Sequence, residues 1–112
     1  MTAQEKYVQQ VLQEYLNLPD TGPMASVSDR KLAERLFEQG ISIEEVEGAL
    51  LVASARRLFS KRGLHNSRRI YSLHYFIPVI MEITENCFPE GYLDYLRRTM
   101  GPYLKSKIEK VI

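Results

Sequence analysis

The sequence predicts an all-α fold, a compact bundle of about five helices with a kinked helix near Pro78. Three observations carry that prediction. Apolar residues recur at the 3.6-residue period in one segment after another, capping residues stand where those segments begin, and Gly and Pro fall between them.

The first helix spans residues 2–18. Tyr7, Val8, Val11, Leu12, Tyr15 and Leu16 form one stripe, and Thr2 with Glu5 fits a capping box. Pro19-Asp20-Thr21-Gly22-Pro23 stops it. Ser28 or Asp29 caps a second helix to Gln39, burying Leu32, Ala33, Leu36 and Phe37, and Gly40 suits a left-handed stop. Ser42 and Glu45 form a capping box for a third helix, residues 43–60. Its acidic start (Glu44, Glu45, Glu47) and basic end (Arg56, Arg57, Lys61) complement the helix dipole, and its middle is apolar on nearly all sides, as a central helix requires.

Residues 63–67 read as a linker. A fourth helix covers residues 72–86, with Pro78 inside it as the source of the kink; alternatively the helix proper starts at Pro78. The β-branched Ile77, Val79 and Ile80 also permit a strand, but no partner strand is evident. Pro89 as a first-turn residue opens a fifth helix, residues 90–100. Gly101-Pro102 breaks it, and residues 103–112 continue as a last helical piece. Val46, Leu50, Ala53, Leu73, Phe76 and Ile80 lead the candidate core.

The whole chain, residues 1–112, reads as one helical domain: an N-terminal helix over 1–18, a central region over 28–86 and a C-terminal helical segment over 89–112. With 45% hydrophobic and 26% charged residues, it is globular rather than disordered in composition. A single cysteine, Cys87, forms no internal disulfide, the N-terminus lacks a signal-peptide pattern and no window is long enough for a membrane span. A cytoplasmic protein with no membrane partner is therefore expected.

The net charge of +1 hides an asymmetry. Residues 1–50 carry four basic and nine acidic side chains, −5; residues 51–112 carry eleven basic and five acidic, +6. Residues 51–81 contain no acid and six bases: Arg56, Arg57, Lys61, Arg62, Arg68 and Arg69. Such a patch can bind phosphates without reading bases, with His65, Asn66 and Ser67 adding hydrogen bonds and Tyr71 and Tyr75 stacking on unpaired bases. The competing reading has these arginines cap carbonyls, offset the helix dipole and pair with the acids of residues 1–50.

Helix two, Gly40 and helix three have the length and turn chemistry of a helix-turn-helix, but phosphates would repel Glu44, Glu45 and Glu47. Arg97-Arg98 forms a second basic site, read as the exposed face of an amphipathic helix. His65 and His74 lack metal-ligand spacing, His74 reads as a hydrogen-bonded, half-buried residue, Cys87 lacks an activating neighbour, and there is no glycine-rich phosphate loop. No enzyme, metal or cofactor is expected.

The run Leu32-Ala33-x-x-Leu36-Phe37-x-x-Gly40-Ile41-Ser42-x-x-x-Val46-x-x-Ala49-Leu50 resembles the opening of the DnaD-like domain of replication-restart proteins. So does Arg69-Ile70-Tyr71-Ser72-Leu73-x-Tyr75-Phe76-x-Pro78-Val79-Ile80. The resemblance extends to small helical proteins of bacterial mobile elements and phages, and covers about half the chain. It implies DNA binding and self-association during replication initiation. The family's late tyrosine–isoleucine–tryptophan motif falls on Tyr75, Val79 and Ile83; this chain has no tryptophan and has Pro78 inside the motif.

The expected function is thus a non-enzymatic nucleic-acid-binding accessory domain linked to DNA replication or a mobile element, with DNA as partner. The alternative is a protein-interaction or homo-oligomerisation module, with Tyr92, Tyr95 and Tyr103 at a subunit interface and a replication protein or second copy as partner.

Overall fold

Ile43–Leu58 (α3) is the central helix, and its sequence explains why. Gly48, Ala49, Leu50, Leu51, Val52, Ala53 and Ser54 run apolar or small around every side, and all are buried. Ala3–Asn17 (α1), Ile77–Glu85 (α4) and Tyr92–Met100 (α5) pack around it, while Val27–Glu38 (α2) packs on α1. The structure, a computed structural model, describes residues 2–59 and 69–105. Among these the architecture is all-α, and the lone β-type pairing is an isolated parallel bridge between Thr21 and Ile70.

The predicted stripe of α1 is the buried one. Tyr7, Val8, Val11, Leu12 and Tyr15 face inward. The Tyr7 hydroxyl donates to the Ile41 carbonyl at 2.8 Å, and the Tyr15 ring meets Phe76 edge-on at 6.0 Å. At the start of α1, the Glu5 amide donates to the Thr2 hydroxyl.

The predicted start of α2 needs correction. Ser26, not Ser28 or Asp29, is the N-cap, and Asp29 is the third helical residue of a full capping box. The shift matters because Asp29 is buried. Its carboxylate accepts from the Ser26 and Leu73 amides, at 3.0 and 2.9 Å, and from the Ser72 hydroxyl at 3.2 Å. One side chain therefore ties the beginnings of two helical segments together. Burial alone pushes this carboxyl up, but those donors hold it below its ordinary value. The box at Ser42 and Glu45 forms as predicted.

Pro78 lies in the first turn of α4, as the alternative reading had it. A 3-10 turn over Leu73–Phe76 precedes the α-helix, so the change of helix type falls just before the proline, where no intrahelical amide is needed. The segment is helical rather than extended. α5 begins at Tyr92 instead of Glu90, and Pro89 lies outside it. Gly91, with φ 81°, takes a left-handed conformation that cannot extend the helix backwards, and the Tyr92 amide closes a turn on the Pro89 carbonyl. A 3-10 turn over Gly101–Tyr103 follows α5. The predicted linker over 63–67 and all but the start of the last helical piece lie outside the described residues.

All six leading core candidates, Val46, Leu50, Ala53, Leu73, Phe76 and Ile80, are buried.

Candidate nucleic-acid interface

Two parts of the acid-free segment, the basic end of α3 and Ile70, lie beside the turn that follows α1. Asp20 is the hinge of this arrangement. It adopts a positive φ of 70°, a conformation that aspartate tolerates better than most residues. Its carboxylate takes the Arg57 guanidinium, and its carbonyl accepts from the Ile70 amide at 2.8 Å. One residue thereby fixes both ends of the stretch from Arg57 to Ile70. Arg57 and Arg69, twelve positions apart in sequence, come to the same turn.

Lys105 joins them from the far end of the chain. Its Nζ donates to the Thr21 carbonyl at 2.8 Å and the Thr21 hydroxyl at 3.0 Å, with Gly22 at 3.4 Å. Thr21 is itself held by donating to the Leu18 carbonyl at 2.9 Å.

The predicted basic residues divide into three groups. Arg56 leans the other way, onto α4. Its Nη1 and Nη2 bond the two Glu82 oxygens at 2.9 and 2.6 Å, a bidentate pair between half-exposed side chains. That bond holds the Glu82 carboxyl below its usual range and raises the Arg56 guanidinium. Arg57 is only 7% exposed in its side chain and is engaged by Asp20. Arg69 is exposed, with no ion pair among the described residues. Lys61, Arg62 and Arg68 lie outside the described residues, with His65, Asn66 and Ser67. The competing reading therefore describes Arg57, whose acid comes from residues 1–50. Arg56 finds an acid too, but one at the first position beyond the acid-free stretch.

Exposed aromatic rings belong to the same acid-free segment. Tyr71 is 84% exposed and directly follows Ile70. Phe59, at the end of α3, is half exposed and meets Tyr103 edge-on at 5.5 Å. Tyr75 is also half exposed and rests on Phe76. Such rings offer faces on which unpaired bases can stack.

The other motifs have structural roles. Arg97 binds both Glu47 oxygens, at 2.8 and 2.6 Å, and Asp94 at 3.2 Å, tying α5 to α3. The start of α3 is occupied by its capping box, and its middle is buried, so it presents no long face to a groove. His74 is half-buried, its Nδ1 2.9 Å from the Ser72 hydroxyl. Cys87 is exposed. Among the described residues no three His, Cys, Asp or Glu side chains are grouped to hold a metal, and no helix is long and apolar enough to cross a membrane.

Sequence reasoning missed Asp20 and Lys105. Nothing in local spacing links Asp20 to Arg57 or Lys105 to Thr21; the one signal available was the turn chemistry of residues 19–23. Comparison with family models, characterised proteins and solved structures finds no match for this chain.

Proposed function

We propose that the protein is a non-enzymatic nucleic-acid-binding accessory domain that grips phosphates through the basic segment closed by Asp20. Arg69, Lys61, Arg62 and Arg68 carry the binding, Arg57 is held at the turn by Asp20, and Arg56 joins them only where its Glu82 pair opens. The observation behind this reading is that two points within the acid-free stretch, Arg57 and Ile70, meet at the Asp20 turn. Each phosphate that a lysine or arginine neutralises releases counterions, so a run dense in bases and without acids suits a phosphate chain. Single-stranded DNA is the preferred ligand, because exposed Tyr71 and Phe59 supply faces on which unpaired bases can stack. The likeness of residues 31–83 to DnaD-like domains agrees with a place in replication or a mobile element.

Fluorescence anisotropy with single- and double-stranded DNA at two salt concentrations tests this. The expected result is tighter single-strand binding that weakens steeply with salt. Arg69→Glu should weaken it further, whereas absence of binding at low salt removes the proposal.

A second reading, an interaction module, draws on a separate feature. Tyr92 and Tyr95 stack at 5.8 Å and Phe88 lies 5.1 Å from Tyr92, on a partly exposed aromatic surface that suits a subunit interface. Tyr103 packs against Phe59 instead. Light scattering at high concentration tests the homo-oligomeric form: a strictly monomeric chain excludes it.

A further inference from the structure

The three most exposed large apolar side chains among the described residues are Tyr71, Met24 and Val27, at 84%, 81% and 71%. They belong to two segments that the fold ties together twice. At the first tie Thr21 bridges Ile70, whose amide bonds the Asp20 carbonyl. At the second, the Asp29 carboxylate takes the Ser72 hydroxyl and the Leu73 amide. Tyr71 is the single residue between Ile70 and Ser72 on one segment. On the other, Met24 stands three residues from Thr21 and Val27 two residues from Asp29. Apolar side chains scattered singly over a surface call for no explanation, whereas three gathered between two ties form a surface fit to meet a partner.

The charge around them specifies that partner. Residues 21–33 carry one acid, Asp29, and it is buried beneath its donors. Arg69 is exposed beside Ile70, and Arg30 is exposed three positions after Val27, on the same face of α2. Neither makes an ion pair among the described residues. Lys105 reaches Thr21 and Gly22 through neutral oxygens, which leave its charge without a counter-ion at that turn. An apolar surface bordered by three cations suits a polyanion that also has apolar faces. Single-stranded nucleic acid has both, in its phosphates and its unpaired bases. The surface is continuous with the basic segment through Arg69 and Tyr71.

We propose that Met24 and Val27 extend the single-strand path beyond Tyr71, packing on unpaired bases while Arg30 takes an adjoining phosphate. This rests on the nucleic-acid reading and adds to it a base-contacting surface outside the acid-free stretch. Met24 suits the task because an unbranched thioether adapts to the face of any base.

The test is fluorescence anisotropy of the full chain with a labelled oligothymidylate of about 12 nucleotides and with an abasic strand of the same length. The variants are Met24→Ser combined with Val27→Ser, and Arg30→Gln. All three residues are exposed, so each variant should melt with the parent. The serine pair should bind oligothymidylate about tenfold more weakly at an unchanged salt slope, because it loses no phosphate contact. The abasic strand should bind parent and serine pair alike. Arg30→Gln should weaken both strands about threefold and lower the salt slope by roughly 0.7. If the parent binds oligothymidylate and the serine pair binds it as tightly, the inference falls and the nucleic-acid reading stands. It also falls if the serine pair loses affinity for the abasic strand to the same degree, since the tips then meet no base. An absence of binding by the parent at low salt removes the nucleic-acid reading and the inference with it. Vesicles containing phosphatidylserine separate out a lipid surface. If they hold the parent and release the serine pair while oligothymidylate affinity is unchanged, the tips form a membrane contact and the proposal is overturned.

Discussion

Two regions of this molecule hold opposite charge balances. On the side where α1, α3 and α5 meet, Glu47 and Asp94 pair with Arg97 while Glu14 feels Glu47, Glu44 and Arg97, and acids are in surplus. At the turn after α1, Arg57 pairs with Asp20, Lys105 bonds Thr21 and Arg69 precedes the Ile70 amide that bonds Asp20, so bases are in surplus. A net charge of +1 describes neither. The comparison teaches that a basic residue in a sequence is not yet an available charge. Arg97 is spent holding α5 to α3 and Arg56 is spent on Glu82, whereas the segment from Lys61 to Arg69 has no acid of its own. Each surplus has its own consequence, a raised carboxyl at one region and a candidate phosphate grip at the other.

The acid surplus gives the largest expected effect. Glu14 titrates at about 7 in the folded protein and at about 4.5 when unperturbed. The folded state therefore holds the proton more tightly, and stability falls as pH rises from 4.5 to 7. Glu14→Gln should flatten that decline in urea unfolding measured from pH 5 to pH 8; an unchanged slope means that Glu14 is not the group responsible.

The base surplus comes next. Replacing Lys61, Arg62, Arg68 and Arg69 together by alanine should lower single-strand affinity about 100-fold at low salt and reduce the salt slope by roughly 0.7 per lost contact. Arg69→Ala alone should hardly change the melting temperature, because Arg69 is exposed and no ion pair of the described residues uses it.

Arg97→Ala separates the two regions. It should cost on the order of 1 kcal/mol in stability, with a steeper decline toward alkaline pH as Glu14 loses its opposing cation, and leave DNA affinity unchanged. Equal losses of stability and DNA affinity would merge what the structure keeps apart. The smallest effect is expected from Glu82→Gln. Freeing Arg56 should raise DNA affinity about twofold and lower stability by less than about 1 kcal/mol, since the pair is half exposed.

Much of the fold was legible because it is written locally. The α1 stripe, the Ser42–Glu45 box and the all-round apolar middle of α3 each depend on residues a few positions apart, and each stands in the structure. The start of α2 was ambiguous because Ser26, Ser28 and Asp29 are all capping types, and only the position of Ser72 and Leu73 makes Asp29 the buried tie. The start of α5 was misread because Pro89 is a common first-turn residue, while the left-handed Gly91 decides the boundary.

The candidate site was legible as composition and not as geometry. An acid-free run shows on inspection, but its closure depends on Asp20, 37 positions from Arg57. The partners of Arg56 and Arg97 stand 26 and 50 positions away. Hydrophobic periodicity says nothing about such pairs, because they follow from how helices cross. Glu14 was invisible for the same reason: on the helix it is an ordinary polar position beside Tyr15, and its burial shows only once the helices pack.

The central claim is that the segment closed by Asp20 binds phosphates. The most direct test is anisotropy of a labelled single-stranded oligonucleotide with the parent chain and the four-alanine variant, at about 50 and 200 mM salt. The account predicts strong, salt-sensitive binding by the parent and about 100-fold weaker binding by the variant. Equal affinity of the two proteins, or no binding by the parent at low salt, would contradict it.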